Sequence, residues 1–265
     1  MKTKHLSIAL VAALVLCGCK KDKEEKKESS SSVVASGIFS PEQVTAIESI
    51  VHKYIVNNPM VVVESINNLQ QQAMKQQQEK VSAIVKDNRK ELDETEGFPV
   101  QGPATADMTM VMFGDYNCAK SREMFNAIST ALDKDKKFRV IFRFLPKDNN
   151  ISQRAAKIAF AVHKQGMFDK FHDAMLKSTG DVNAESVLDV AKGIVGMDMK
   201  KLEEDAASAE ISLRIQDNKI LAEKLGIKVA PGFVIDDIIS PLALNAQQLT
   251  TLLPQLRTRR NEINK

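Results

Sequence analysis

Apolar residues recur every three or four positions over residues 44–55, a spacing that is typical of a helix with one apolar face. Ser40-Pro41-Glu42-Gln43 precedes this stretch and has the pattern of a helix start, with a capping serine, a proline in the first turn and a glutamine that completes a capping box. Asn57-Asn58-Pro59 is a breaking sequence. The pattern therefore predicts a first helix that ends there.

A second, longer helix is predicted over residues 59–94, where apolar residues again repeat every three or four positions. Glutamines at 70–72 and 76–78 interrupt its apolar stripe. Because one short neighbouring helix cannot cover so long a stripe, the region 38–96 is predicted to be an α-helical arm. This arm either lies on the main domain or joins copies of the chain, and we favour oligomerisation.

Beyond a linker at residues 97–103, the pattern alternates between strands and helices. Residues 108–113 form a predicted buried strand, 118–132 a helix, and 138–145 a strand with clear alternation. Residues 151–225 are helical, and strands at 227–235 and 238–239 precede a last helix that Asn245 caps and that runs to about 260. This order predicts an α/β domain over 98–260 with a helical insertion at about 151–225.

The N-terminus has the features of an export signal. Lys2 and Lys4 precede an apolar or small run over residues 6–16, which is too short for a permanent membrane span. Leu16-Cys17-Gly18-Cys19 resembles a bacterial lipobox, so residues 1–18 are predicted to be removed and Cys19 lipidated, with an ordinary cleaved signal as the alternative. Residues 19–37, charged and serine-rich, form a predicted flexible tether. Lys20 favours the outer membrane, as in Gram-negative lipoproteins.

Composition excludes several classes of protein. The chain of 265 residues carries 37 Lys and Arg against 34 Asp and Glu, with 43% hydrophobic residues. This balance excludes a wholly disordered chain and a strongly basic nucleic-acid binder. Three cysteines are too few for a disulfide scaffold. The histidines lack metal-ligand spacing and no phosphate-binding glycine loop is present, so neither a metal nor a cofactor is expected.

Cys118 is the candidate for chemistry because it follows a predicted strand and opens a predicted helix. The positive end of the helix dipole favours a thiolate at such a position, and Lys120 and Arg122 add positive charge. A small buried cysteine without reactivity is the alternative.

The residues around Cys118 resemble the DsbA family. Residues 113–121, Phe-Gly-Asp-Tyr-Asn-Cys-Ala-Lys-Ser, are similar to the active-site turn of that family, roughly FFDYxCxxC. Residues 229–235 are similar to its cis-proline loop, and residues 168–176, which include His172, to its FHDALL segment. Residues 39–59 resemble a narrower subgroup, the 27 kDa outer-membrane immunoreactive proteins. The resemblance implies a thioredoxin-like fold with a helical insertion of the DsbA type.

The resemblance also implies a set of site residues. The catalytic positions would be Cys118, Ser121 and Pro231, and the substrate-binding positions Tyr116, Ala230 and Gly232. The implied partners are protein thiols or extended polypeptides.

Three departures from the family pattern qualify this site. Ser121 stands where the family has its second cysteine, Met112 where it has a buried acid, and Gly114 where it has a phenylalanine. Since the second sulfur of a dithiol resolves mixed disulfides, Ser121 argues against efficient dithiol oxidase activity.

The sequence thus predicts an envelope-anchored lipoprotein that exchanges with protein thiols through one cysteine. The alternative is a redox-inactive relative that serves as a polypeptide-binding or oligomeric scaffold. In both cases the expected location is the cell envelope, through a lipid anchor in the outer membrane of a Gram-negative bacterium, facing the periplasm or the surface. No nucleic-acid partner is expected.

Overall fold

A computed structural model describes residues 39–178 and 182–263. The predicted signal peptide, Cys19 and the tether lie outside the described residues. The chain divides into two compact units, residues 1–70 and 71–265. The division falls inside the second helix, so residues 71–96 group with the domain that follows.

The described part of the first unit is helical. Helix α1, Pro41–Asn57, begins at the predicted capping box: Gln43 N donates to Ser40 Oγ, and Ser40 N donates to Gln43 Oε1. Helix α2, Met60–Asp87, starts in this unit. No residue of α1 is buried. Its apolar stripe is therefore exposed within this chain, as are the apolar residues of the first turns of α2.

Residues 71–96 belong to the second unit through buried side chains. Val81 and Ile84 pack against its core, and Val85 and Leu92 lie inside it. The single helix predicted over 59–94 is wrong, because Asn88 leaves the helical conformation and its side-chain amide donates to Ile84 O at 2.8 Å. A short helix, α3, Arg89–Asp93, follows this break.

A five-stranded sheet in the order β1-β3-β2-β4-β5 forms the centre of the second unit. Strands β2 and β3 are parallel and the other pairs antiparallel. Helix α4, Ala119–Lys134, connects β2 to β3 and buries the predicted inner residues Met124, Phe125 and Ile128. The strands are β1, Val100–Gln101; β2, Met108–Gly114; β3, Phe138–Phe144; β4, Gly232–Ile235; and β5, Ile238–Ser240.

Two details of the sheet differ from the sequence expectation. The predicted linker at 97–103 contains β1, which pairs with β3 through Val100 and Ile141. The strand predicted over 227–235 begins only at Gly232, since Pro231 has no N–H to donate to a ladder and the residues before it form a loop.

Helices fill the predicted insertion and the C-terminus. They are α5, Asn150–Lys164; α6, Phe168–Lys177; α7, Ala184–Lys192; α8, Met199–Ala206; α9, Ala209–Lys224; and α10, Ala246–Ile263. Asn245 caps α10 as predicted, with Gln248 N donating to Asn245 Oδ1 at 2.9 Å. The architecture is the expected thioredoxin-like fold with a helical insertion, and it places the end of β2, the start of α4 and the loop before β4 side by side.

Candidate functional site around Cys118

Cys118 is the N-cap residue of α4 and its free thiol is partly exposed. Its sulfur makes no capping hydrogen bond to the first turn of the helix. The Sγ lies instead 3.6 Å from Ala230 O, to which the thiol can donate. The position at the start of the helix agrees with the sequence prediction. The contact with the facing loop is a feature that only the tertiary structure provides.

The loop that faces the thiol contains the cis peptide between Ala230 and Pro231. Both residues are buried, as is Gly232, whose backbone pairs with Phe113 of β2. A Cβ at Gly232 would lie 2.5 Å from Ile227 Cγ2, so the close approach of the loop requires glycine. The structure therefore brings Cys118, Ala230 and Pro231 together and places Gly232 in the sheet just behind them.

The substrate-binding role expected for the Tyr116 side chain is wrong. Tyr116 has 0% exposure and packs against Phe125, Phe144 and Phe171 in the core. Its hydroxyl lies 2.6 Å from Nδ1 of His172 on α6. Because the chain turns sharply after β2, this side chain points away from the surface on which Cys118 lies.

His172 is held as a neutral ring inside an aromatic cluster. It is 1% exposed, and burial lowers its pKa to about 3. Burial also raises the Tyr116 pKa well above its ordinary value, with a smaller contribution from Asp173. Among the described residues, Nε2 of His172 has no hydrogen-bond partner. One sequence signal for this burial is that His172 shares the apolar face of α6 with Phe168, Phe171 and Met175.

Buried hydrogen bonds hold the turn between β2 and α4. Asp115 N donates to Ser121 Oγ at 3.2 Å, and the Asp115 carboxylate accepts from Asn117 N at 2.9 Å and from Lys147 N at 3.3 Å. Asn117 Nδ2 donates to Ser152 Oγ at 3.3 Å. Sequence reasoning missed Asp115 and Asn117, although an aspartate two residues before the N–H that it accepts is the signature of an Asx turn.

The structure shows what surrounds each of the three residues that depart from the family pattern. Ser121 is fully buried behind Cys118. Met112 is buried in β2, so no carboxylate occupies that place in the core. A Cβ at Gly114 would lie 2.3 Å from Cζ of Phe125, so the Phe125 ring occupies the space that a side chain at residue 114 would need.

An open groove of about 820 Å³ lies beside Pro231. One side carries Lys120 and Glu123 of α4, whose charged groups are 2.8 Å apart. The segment between β5 and α10 supplies the other side with mainly apolar residues, including Pro241, Leu242 and Leu244. The groove can therefore accept an extended, partly apolar segment next to the thiol.

Within residues 39–178 and 182–263, no group of three or more His, Cys, Asp or Glu side chains could hold a metal ion. In these ranges no helix has the length and apolar character needed to cross a bilayer.

Comparisons with known proteins identify the family. Residues 69–257 match the DSBA-like thioredoxin domain, and residues 43–76 match the N-terminal domain of the copper resistance protein ScsC. A thioredoxin-like oxidoreductase from Silicibacter pomeroyi DSS-3 is 32% identical, with a TM-score of 0.57 over 61% of this chain and 93% of that chain. ScsC of Proteus mirabilis in a transitional conformation shares the fold, at 21% identity and a TM-score of 0.58 over 83% of this chain and 97% of that one.

A further similarity concerns part of a larger protein. The Na(+)/H(+) antiporter NhaA 1 of Salinispora arenicola is 27% identical over 139 residues, which are 52% of this chain and 21% of that protein. The chain thus spans about a fifth of the length of the curated antiporters that it matches. The family match covers more than half of the chain and agrees with the fold, so the chain belongs to the DSBA-like thioredoxin domain family.

Proposed function

We propose that this chain is an envelope protein that exchanges with protein thiols and disulfides through Cys118 as its single reacting sulfur. The position of the Cys118 sulfur carries this proposal. It is partly exposed at the start of α4 and faces Ala230 O at 3.6 Å, next to Pro231 and the groove. Thiol–disulfide exchange requires a sulfur that a partner sulfur can reach, and the partial exposure of Cys118 meets this requirement.

The exchange step is a substitution at sulfur. The Cys118 thiolate attacks one sulfur of a partner disulfide, a new S–S bond forms, and the second partner sulfur leaves as a thiolate. In DsbA-family proteins the second cysteine of the motif can then attack the first cysteine, which corresponds to Cys118 in this chain. Ser121 has no sulfur to do so, and the mixed disulfide is released only when an external thiol attacks it. The predicted activity is therefore monothiol exchange rather than turnover as a dithiol oxidase.

The test is capture of a disulfide-bonded peptide by the full chain with Cys17→Ser and Cys19→Ser, so that Cys118 is its one thiol. A covalent adduct should form, persist after the free peptide is removed, and disappear on addition of reduced glutathione. The same chain with Cys118→Ala is the matched control and should form none. An unreactive Cys118 would favour the redox-inactive alternative.

The exposed apolar residues of the first unit support the second candidate function, an oligomeric or polypeptide-binding scaffold. Ile50, Tyr54 and Leu69 are 66%, 58% and 67% exposed within this chain. Apolar helix faces of this kind are typical of surfaces that another chain covers. Homo-oligomerisation through the N-terminal helices is compatible with both candidate functions and is part of our proposal.

The location completes the proposal. We keep Cys19 as the lipidation site and the outer membrane as the expected destination, because the lipobox-like sequence follows an apolar run of signal-peptide length. Assignment to the subgroup of 27 kDa outer-membrane immunoreactive proteins stays a prediction, as does the orientation toward the periplasm or the surface.

A further inference from the structure

A second cavity lies between two helices of the insertion, α5 and α8. We call it the α5–α8 cleft, and its volume is about 610 Å³. This volume is in the range that is typical of pockets for small ligands. None of the residues that line it also lines the groove beside Pro231. The cleft is therefore a surface that the thiol exchange does not use.

The base of the α5–α8 cleft is apolar. Ile158 of α5 and Leu202 of α8 line it and are 3% and 0% exposed. Leu188 of α7 and Ala206 of α8 are partly exposed beside them. An apolar group that enters the cleft covers these side chains and is itself removed from water, which is favourable. The base therefore favours a ligand with an apolar body.

Charged residues of both signs also line the cleft. Arg154 and Lys157 lie three residues apart on α5, so they are neighbours on one face of that helix. Glu203 lies on α8, and both it and Arg154 are exposed. Among the residues that the structure describes, none of these three charges has a partner in an ion pair. All three are available to a ligand.

The same two helices form a direct ion pair elsewhere. The Nζ of Lys164, the last residue of α5, lies 2.9 Å from the carboxylate of Asp205 on α8. At the cleft, by contrast, the opposite charges of α5 and α8 are too far apart to pair. A ligand that carries both a carboxylate and an ammonium group can bridge them.

We infer that the α5–α8 cleft binds a short apolar peptide with free ends. Its terminal carboxylate pairs with Arg154 and Lys157, its terminal ammonium pairs with Glu203, and its apolar side chains cover the base of the cleft. A guanidinium presents a planar pair of donors that matches a carboxylate, which favours this orientation of the peptide. The site goes beyond the proposed function, because no step of the exchange at Cys118 involves it.

The separation of the two helices indicates the length of the ligand. The axes of packed helices lie about 8–10 Å apart. An extended chain spans about 3.3–3.6 Å per residue, so two or three residues are needed to reach from one helix to the other. A free amino acid carries both charged groups on one carbon atom and is too short to do so.

Equilibrium dialysis of the peptide Leu-Ala-Leu against the full chain with Cys17→Ser and Cys19→Ser tests the inference. Binding should be saturable below about 1 mM. Acetylation of the amino end or amidation of the carboxyl end should each weaken binding at least about threefold, the loss expected for a partly exposed ion pair. Ser-Ala-Ser, which lacks the apolar side chains, should bind at least about tenfold more weakly. The peptides contain no sulfur, so a failure of this inference leaves the proposed function untouched.

Charge-removal variants assign each end of the peptide to its partner. With Arg154→Gln and Lys157→Gln together, amidation of the peptide should no longer change its affinity. With Glu203→Gln, acetylation should no longer do so, because a pair that has lost one partner has nothing left to lose from the other. Glu204→Gln is the matched control, since Glu204 is the next residue on α8 and does not line the cleft. It should leave both effects unchanged.

A variant that fills the cleft tests the location independently of charge. Ala207 lines the cleft and is exposed, so Ala207→Trp should weaken binding of Leu-Ala-Leu at least about tenfold without lowering the thermal stability of the chain. Absence of saturable binding, or unchanged affinity in Ala207→Trp, would overturn the inference. Free leucine that binds as tightly as Leu-Ala-Leu would overturn the assignment to a peptide.

Discussion

Ser121 Oγ accepts a hydrogen bond from the backbone N–H of Asp115 at 3.2 Å, inside a turn where both residues are buried. The residue at the family's second-cysteine position thus has a structural partner of its own. A thiol is a weaker acceptor than a hydroxyl, so serine suits this contact better than cysteine does. Ser121 therefore stabilises the turn in a state without a disulfide.

Two substitutions of Ser121 separate its structural role in the turn from the absence of a second active-site sulfur. Ser121→Ala should lower the free energy of unfolding by about 1–3 kcal/mol, because the Asp115 amide would lose its partner in a buried place. Ser121→Cys should be less destabilising and should shorten the lifetime of a mixed disulfide at Cys118, since a second sulfur can then attack it.

Urea unfolding and the decay of a purified peptide adduct measure these two effects. Ser129→Ala on the same helix is the control and should change stability by less than about 0.5 kcal/mol. An adduct of the Ser121→Cys variant that survives as long as the parent adduct would show that residue 121 cannot reach the Cys118 sulfur. The Ser121→Cys variant should also gain some ability to reduce the disulfides of insulin. Because Met112 still occupies the position of the family's buried acid, this gain should stay partial.

Acid should destabilise the protein through His172. Burial lowers its folded-state pKa to about 3, whereas an unfolded histidine titrates near 6.5. Below about pH 6.5 the unfolded chain binds a proton that the folded chain does not, so this contribution is lost progressively between pH 6.5 and 3. The full effect is about 5 kcal/mol.

The variant His172→Gln isolates this contribution, since other titrating groups remain in both proteins. Its free energy of unfolding, measured by urea titration, should fall less steeply over that pH range than that of the parent. His52→Gln, at an exposed position of α1, is the matched control. Identical slopes for the parent and His172→Gln would contradict a neutral buried His172.

The order of the main elements could be predicted from the sequence because each has a periodic apolar pattern. Strand β1 has only two residues and leaves no period to detect, so its pairing with β3 depends on tertiary contacts. The break at Asn88 was missed for a related reason, since the apolar spacing continues past it to Leu92.

The candidate site was predictable in its positions and not in the directions of its side chains. The motif located Cys118 and Pro231, which the structure brings together through Ala230. Tyr116 was misread because a residue in a turn can point to either side, and only packing against the core decides which. The hydrogen bond from the Asp115 amide to Ser121 likewise depends on how the turn folds back on α4.

The lipid anchor predicts a change in mass and in location. The full chain expressed in a Gram-negative host should fractionate with membranes, and its mature form should begin at an acylated Cys19. Cys19→Ser should leave the protein unacylated, whereas Cys17→Ser is the matched control and should retain the modification. Intact mass spectrometry decides the matter, and an unmodified Cys19 on a soluble chain would contradict the anchor.

Because the apolar face of the first unit is exposed, we predict that the chain forms an oligomer and that charged substitutions on this face dissociate it. The full chain with Cys19→Ser should exceed the monomer mass in light scattering at micromolar concentration. Ile50→Glu with Leu69→Glu should give a monomer without lowering the thermal stability of the second unit, because both side chains are exposed in the single chain. Ser49→Glu, on the polar face of α1, is the control. A parent chain that is already monomeric would refute the prediction.

Deleting the N-terminal helices tests the oligomer less well than these substitutions do, unless the deletion ends before the buried residues of α2 and α3. Deleting residues 38–96 would remove Val85 and Leu92, which are 3% and 1% exposed in the core of the second unit. A deletion limited to residues 38–70 spares these side chains and should leave the Cys118 domain folded.

Arg143 gives a final prediction about the junction between α3 and the sheet. Its guanidinium lies 3.8 Å from the centre of the Phe98 ring and donates to Asn218 Oδ1 at 3.2 Å and to the carbonyl oxygen of Glu91. The residue is 2% exposed, and burial lowers the pKa of its guanidinium to about 10.

Arg143→Met should destabilise the second unit by about 3 kcal/mol, because the Glu91 carbonyl and the Asn218 amide lose their donor in a buried place. Arg143→Lys should restore little of this loss, since an ammonium group cannot donate in several directions in one plane while it stacks on a ring. Urea unfolding of the full chain measures both variants. Arg154→Met, at an exposed position of α5, is the control and should stay within about 0.5 kcal/mol of the parent. If Arg143→Lys proves as stable as the parent, the planar guanidinium is not what holds this junction.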